Sequence, residues 1–184
     1  MMVDESLDKN GRREKVVDVL NKARSMELYA ISQYMIQHYA LDAMDYGELA
    51  KQMKLIAIDE MRHAEQLAER IKDLDGDPTT ELADKVTKGQ EVAQIFTFDA
   101  AVEDDTIDIY NQFLRTCREM GDNISARLFE ILIEEEQVHA DHFENIGKHI
   151  KNLGDSYLAR VAGTSASTGP SSKGFVNMGE DELE

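Results

Sequence analysis

The sequence contains two copies of one pattern of acidic, tyrosine and histidine residues, separated by 76 positions. The first copy consists of Glu27, Tyr34 and a Glu-x-x-His segment that begins at Glu60 and ends at His63. The second copy consists of Glu103, Tyr110, Glu136 and His139. Because every member recurs at the same spacing, the pattern predicts two similar halves rather than a chance set of solvated charges.

The spacing within each copy is that of residues on one face of a helix. A Glu and a His three positions apart lie one turn apart, so both side chains can reach one metal ion. Buried carboxylates are costly without compensating positive charge, which a pair of metal ions supplies. One Glu from each of two helices and a Glu-x-x-His from each of two others form the ligand set of di-iron carboxylate bundles.

We therefore predict a dinuclear metal centre at which the catalytic residues are also the ligands. Oxygen-rich ligation with two imidazoles favours iron or manganese over a thiolate-preferring metal. The predicted ligands are Glu27, Glu60, His63, Glu103, Glu136 and His139. Tyr34 and Tyr110 are predicted to donate hydrogen bonds that orient the carboxylates, with plain core packing as the alternative.

The rest of the sequence indicates an all-α fold. Helix-forming residues dominate the middle of the chain, and only two of its 184 residues are proline. Hydrophobic periodicity predicts four long helices, at about residues 12–43, 45–74, 91–120 and 123–153, and a short fifth helix at 156–162. A D-x-x-E pattern from Asp45 to Glu48 predicts the start of the second helix. The polar segment 76–90 predicts a long crossover between the second and third helices.

The composition divides the chain into two parts. We predict one helical domain over residues 1–162 and a tail over residues 163–184, because Gly, Ser and Thr dominate the tail and its end is acidic. Such a composition is typical of a flexible segment.

Charge and cysteine content exclude several classes of function. The net charge of −17 repels nucleic acids and anionic lipids, so neither is an expected partner. Cys117 is the only cysteine, which excludes an intrachain disulfide and a cysteine-ligated iron–sulfur cluster. The charged N-terminus does not resemble a secretory signal, and no apolar run is long enough to span a membrane. We expect a cytoplasmic protein.

The order and spacing of these motifs resemble those of the bacterioferritins over residues 12–162. The resemblance implies a ferritin-like four-helix bundle with a ferroxidase centre. The protein would then be an iron-storage enzyme that oxidises Fe(II) with O2 or H2O2. Glu27 and Glu103 would each bind one iron, Glu60 and Glu136 would bridge the pair, and one histidine would complete each side. The ferric product would be deposited as mineral inside a shell of 24 identical subunits built from two-fold dimers.

The resemblance also assigns a role to Met61. This residue follows Glu60 directly and points about 100° away from the metal-binding face of its helix. In the family, such a methionine and its copy across a two-fold axis ligate one haem, b-type or a related iron porphyrin. The haem would aid electron transfer and iron release, with a small ferredoxin as a candidate donor.

Two departures from the family pattern are visible. Some members have a histidine at the position of Leu55, which with Asp59 forms an additional iron site, and leucine cannot ligate iron. The chain also has no tryptophan. His142 lies one turn beyond His139 and is a candidate for an iron route, whereas packing or surface roles are expected for the other histidines.

Three other functions use similar residues. An O2- or peroxide-scavenging protein would need the same ligands as a storage protein. A di-iron oxidase of the desaturase type usually has extra helices, for which this chain has little length. A haem bundle for electron transfer would need the metal pair only as a structural element.

Overall fold

The computed structural model describes residues 7–169 and 174–176, and this part of the chain is helical. Its helices are α1 (Lys9–Ala43), α2 (Gly47–Asp73), α3 (Val92–Glu119), α4 (Asn123–Leu153) and the short α5 (Asp155–Val161). Among the described residues the only β-type pairing is an isolated bridge between Tyr46 and Thr164. The predicted all-α class, with four long helices and a short fifth one, is confirmed. None of these helices is both long and apolar enough to cross a lipid bilayer.

The four long helices form a bundle of two hairpins. Short turns connect α1 to α2 and α3 to α4, and each of these pairs packs along most of its length. Residues 74–91 connect the two hairpins and run along α1 as the predicted crossover. Thr79 N–H donates to Asn21 Oδ1 at 2.7 Å, and Thr87 N–H donates to Gln33 Oε1 at 2.8 Å. Side chains of α1 therefore satisfy the backbone of this long loop.

The start of α2 differs from the sequence prediction. The helix begins at Gly47 with Tyr46 as its N-cap residue, whose side chain makes no capping hydrogen bond. The hydroxyl of Thr164 instead accepts a hydrogen bond from the N–H of Glu48 at 2.7 Å. Asp45 instead lies in the turn after α1 with a φ of 66°. The reversal between two antiparallel helices requires a left-handed residue at this point, a conformation that Asp tolerates better than most residues. The predicted capping role of Asp45 is therefore wrong.

The start of α4 is tied to the end of α2. Asp122 is the N-cap residue of α4 and accepts hydrogen bonds from the N–H groups of Ile124 at 3.1 Å and Ser125 at 3.0 Å. The same carboxylate accepts two hydrogen bonds from Arg70 Nη2, at 2.9 and 2.8 Å. One side chain thus caps a helix and fixes the position of its neighbour.

The bundle core consists of two apolar clusters at its two ends. One cluster includes Val16, Leu20, Leu67, Leu114 and Phe129. The other includes Leu41, Met53, Ile56, Phe96 and Phe143. Between the two clusters lies a layer of buried ionisable side chains, among them Glu27 in α1 and Glu136 in α4. Apolar packing at both ends holds the four helices together around this polar layer.

Candidate metal centre

All six predicted ligands meet in the buried polar layer. Their exposed fractions do not exceed 2%. Their ligand atoms form two groups, in each of which all atoms lie within 4.8 Å of one another. The first group is Glu27, Glu60, His63 and Glu136, and the second is Glu60, Glu103, Glu136 and His139. Glu60 and Glu136, hereafter the shared carboxylates, belong to both groups, whereas Glu27 and Glu103, the outer carboxylates, each belong to one.

The two histidines point the same ring nitrogen at the shared carboxylates. Nδ1 of His63 lies 2.9 Å from Glu60 Oε2 and 3.1 Å from Glu136 Oε1. Nδ1 of His139 lies 3.1 Å from Glu60 Oε1 and 3.1 Å from Glu136 Oε2. Each carboxylate therefore directs one oxygen to each half of the site, an arrangement suited to bridging two cations.

The donor atoms fit a pair of divalent cations. Within the described part of the chain, both oxygens of Glu60, Oε1 of Glu136 and Nδ1 of His63 are buried and lack a hydrogen-bond partner of good geometry. A buried polar atom left unpaired is costly. Carboxylate and imidazole donors in this number suit iron or manganese, which would satisfy the unpaired atoms together.

Each tyrosine of the repeat donates a hydrogen bond to a carboxylate that belongs to the other copy of the repeat. The Tyr34 hydroxyl in α1 donates a hydrogen bond to Glu103 in α3. The Tyr110 hydroxyl in α3 donates to Glu27 in α1. Both rings are fully buried, and burial together with the adjacent carboxylates raises the pKa of both hydroxyls well above its usual value. Each tyrosine thus remains a protonated donor that fixes one outer carboxylate.

The buried groups of the cluster shift one another's pKa values. Burial and the shared carboxylates raise the pKa of both outer carboxylates well above the usual value for glutamate. Burial disfavours protonated His63 and His139, but the carboxylates beside them outweigh this effect and raise the pKa of both. Burial likewise opposes ionisation of the shared carboxylates, but the imidazoles lower the pKa of both, that of Glu136 to about 2. These shifts favour the imidazolium form of both histidines, the ionised form of the shared carboxylates and the protonated form of the outer carboxylates.

A further carboxylate lies behind each histidine. Nε2 of His63 lies 2.9 Å from Glu135 Oε2, and Nε2 of His139 lies 3.5 Å from Asp59 Oδ2. Such partners fix the orientation and tautomer of a ligating imidazole. Glu135 is not among the residues predicted from the sequence to act at the centre. A signal was present, because both Glu-x-x-His segments are preceded by an acidic residue at the equivalent position.

The other residues singled out in the sequence lie outside this cluster. Met61 is 54% exposed on α2, and Leu55 is buried. Phe175 of the tail packs against the His142 ring. Cys117 is buried, and burial raises the pKa of its thiol to about 12, so it is not a reactive thiolate at neutral pH.

A surface groove lies beside the cluster on one side of the bundle. Its volume is about 570 Å³, and it lies between α1 and α3, where Glu27 and Glu103 form part of its wall. The exposed carboxylates of Asp84 and Asp105 also line it. Negative charge at the mouth of a cleft raises the local concentration of cations.

Known proteins resemble this chain in sequence. The family model for a ferritin-like domain matches residues 17–153. The bacterioferritin of Desulfovibrio desulfuricans is 64% identical over 169 residues, which are 92% of this chain and 94% of that protein. The chain belongs to the bacterioferritin family. The family resemblance predicted from the motifs and their spacing is confirmed.

Solved bacterioferritin structures match the fold closely. The X-ray structure from Desulfovibrio desulfuricans, which concerns a diiron site in different catalytic states, has a TM-score of 0.89 and 63% identity. The match covers 92% of this chain and 99% of that one. The bacterioferritin of Rhodobacter capsulatus, described with a metal-free dinuclear site and a heme iron in a crystallographic special position, has a TM-score of 0.78 and 30% identity. That match covers 86% of this chain and 98% of the other. The predicted ferritin-like bundle is therefore confirmed.

Proposed function

We propose that this chain stores iron and that its buried cluster is a ferroxidase centre, which oxidises Fe(II) with O2 or H2O2. One observation carries the proposal: the shared carboxylates belong to two groups of donors at once. A single cation would leave one group unfilled, whereas two cations use every carboxylate and both imidazoles. The diiron site of the Desulfovibrio desulfuricans protein supports iron as the metal.

Each residue of the centre has a distinct task in this proposal. Glu27 and His63 would hold one iron, Glu103 and His139 would hold the other, and the shared carboxylates would contribute to both sites. The bound iron pair supplies the redox chemistry, because each Fe(II) gives one electron to the oxidant. The protein keeps bulk water out of the layer and holds the outer carboxylates with the two tyrosine hydroxyls. Fe(II) as substrate approaches through the acidic groove between α1 and α3.

Oxygen consumption after anaerobic loading with Fe(II) tests this assignment. The unmodified chain is expected to consume the oxidant, and a variant with both Glu60→Ala and Glu136→Ala is expected to lose the activity. The matched control is Glu134→Ala, which removes an exposed carboxylate from α4, the helix that carries Glu136. Oxidation that persists in the double variant contradicts a ferroxidase role. Oxidation without retention of ferric mineral favours the scavenging alternative over storage.

We further propose that Met61 ligates a haem shared by two subunits. Its thioether is 54% exposed on α2, although methionine usually lies in cores. The heme iron of the Rhodobacter capsulatus protein lies in a crystallographic special position, and such positions lie on symmetry elements. A haem absorption spectrum that is lost in Met61→Leu supports this role, with Met26→Leu as the control. A spectrum unchanged in Met61→Leu contradicts it.

The proposed shell of 24 subunits is testable by mass in solution. Exposed apolar side chains such as Tyr39, Ile124 and Leu153 would be covered by contacts between subunits. Sedimentation at the mass of a closed shell supports storage. A stable monomer or an isolated dimer contradicts it.

A further inference from the structure

Three residues of the tail lie directly against the metal centre. Val176 N–H donates a hydrogen bond to Asp59 Oδ2 at 3.0 Å, and Phe175 N–H donates to Leu55 O at 3.3 Å. Gly174 is buried at the same place. The segment Gly174–Val176, hereafter the cover segment, therefore contacts the carboxylate that lies behind His139.

The fit at Gly174 is tight. A Cβ atom at this position would overlap the carboxylate of Asp59 and approach Arg62 Nη1 to 2.6 Å. The Asp59 carboxylate is itself held, because Arg62 Nη1 donates to its Oδ1 at 3.0 Å. Only glycine allows the backbone to come this close to the helix surface.

Phe175 closes the gap between α2 and α4. Its ring centroid lies 4.3 Å from that of His142 and 6.4 Å from that of His139, one of the proposed iron ligands. Nε2 of His142 is buried without a hydrogen-bond partner in the described structure. The Phe175 ring thus packs beside this buried imidazole, an apolar contact on this side of the centre.

The internal repeat supplies a comparison within the same molecule. Asp59 and Glu135 occupy equivalent positions, each directly before a shared carboxylate and each facing a histidine. The side chain of Glu135 is 30% exposed, whereas that of Asp59 is 1% exposed. Among the described residues, the cover segment contacts Asp59 but not Glu135. It therefore makes a difference between two carboxylates that are equivalent in the internal repeat.

We propose that the cover segment is a removable lid over the α2–α4 face of the metal centre, which restricts ion exchange to the groove between α1 and α3. The inference rests on the proposed function, because it concerns passage of ions to the same centre. Among the described residues, the segment is attached by two backbone hydrogen bonds and by the contacts of Phe175 with two histidine rings, a small interface compared with the bundle core. Segments with few buried contacts open locally without global unfolding.

The test compares four forms of the assembled protein, loaded with Co(II) as a redox-stable probe with a visible spectrum. They are the full chain, a chain ending at Gly169, a chain ending at Val176 and the full chain with Gly174→Val. The chain ending at Val176 is the matched control, because it is shortened but keeps the cover segment. Release of Co(II) to excess chelator is followed by absorbance. Modification of His142 by diethyl pyrocarbonate is followed in parallel by mass spectrometry on metal-free protein.

The chain ending at Gly169 and the Gly174→Val variant are expected to release Co(II) at least about twofold faster, since an open α2–α4 face adds a second exchange route to the groove between α1 and α3. Both are also expected to show faster modification of His142, and the chain ending at Val176 is expected to match the full chain. Equal release and equal modification in all four forms overturn the lid. Equal acceleration in both shortened chains overturns it as well. If no form binds two Co(II) per subunit, the proposed function itself fails. That result differs from one in which all four forms bind two Co(II) and release them at equal rates, which overturns only the lid.

Discussion

Tyr34 donates a hydrogen bond to Glu103, although the two residues belong to different halves of the internal repeat. The reciprocal bond runs from Tyr110 to Glu27. The helices that carry these residues, α1 and α3, pack less extensively on each other than either does on its hairpin partner. The two hydrogen bonds therefore connect the hairpins through the metal centre itself.

We predict that Tyr34→Phe and Tyr110→Phe each weaken binding of the metal pair. Loss of a donor to a buried outer carboxylate leaves that carboxylate free to rotate, and such changes typically reduce metal affinity by about 10- to 100-fold. Anaerobic calorimetric titration with Fe(II) measures the effect. Tyr39→Phe is the control, because this side chain is 59% exposed. Unchanged affinity in both variants would show that the tyrosines only fill space.

Binding of metal is expected to release protons. Burial and neighbouring carboxylates raise the pKa of both outer carboxylates, and the carboxylates beside His63 and His139 raise theirs despite burial. Ligation requires all four groups to be deprotonated, so metal affinity rises with pH and falls as these groups become protonated.

At neutral pH we predict a net release of protons, at most about four for each pair of metal ions. A titration at constant pH, in which the base needed after anaerobic addition of Co(II) is measured, gives the number directly. The variant with Glu27→Gln and Glu103→Gln removes two of the titrating groups and is expected to release fewer protons than the unmodified chain. Proton release near zero in the unmodified chain would contradict the raised pKa values.

Glu135 is predicted to position His63 without binding metal itself. Its carboxylate accepts from Nε2 of His63 at 2.9 Å, which leaves Nδ1 directed at the shared carboxylates. We expect Glu135→Ala to lower metal affinity by about tenfold, while the bound metal still numbers two per subunit. Glu134→Ala, at the exposed neighbouring position, is the control. Loss of one metal ion from Glu135→Ala would instead make this residue a ligand.

The contact between Arg70 and Asp122 is predicted to stabilise the fold independently of metal. Asp122→Ala removes an N-cap and a paired hydrogen bond from a guanidinium group, which together are worth about 2 kcal/mol. Hydrogen bonds from Ser125 and Arg70 lower the pKa of Asp122 although burial opposes them. Its contribution is therefore present above the unfolded pKa and is lost as the pH falls through the lower folded value.

Chemical denaturation of the metal-free protein measures this loss in the free energy of unfolding. Asp122→Asn is expected to lose less than Asp122→Ala, since asparagine still caps the helix. The Asp105→Ala variant, at an exposed position on α3, is the control. Equal stability of Asp122→Ala and the unmodified chain would show that solvent replaces the whole contact.

The spacing of the sequence alone determined the helices, the crossover and the six residues of the cluster. A period of three or four residues assigns side chains to one face of a helix, and a repeat of 76 positions assigns the same face in both halves. These are local properties, because they depend on helix geometry and not on how helices meet. For the same reason the start of α2 was misplaced: the turn after α1 is set by the packing of two helices.

Only the tertiary structure decided which partners the side chains have across helices. Spacing placed Tyr34 on the same helix face as Glu27. Packing of α1 against α3 brings the Tyr34 hydroxyl to Glu103, to which it donates a hydrogen bond. Composition predicted a flexible tail over residues 163–184, of which residues 170–173 and 177–184 lie outside the described residues. Nothing in that composition placed Gly174 against Asp59, 115 positions earlier in the chain. Such contacts depend on the close fit of distant surfaces, which local periodicity does not encode.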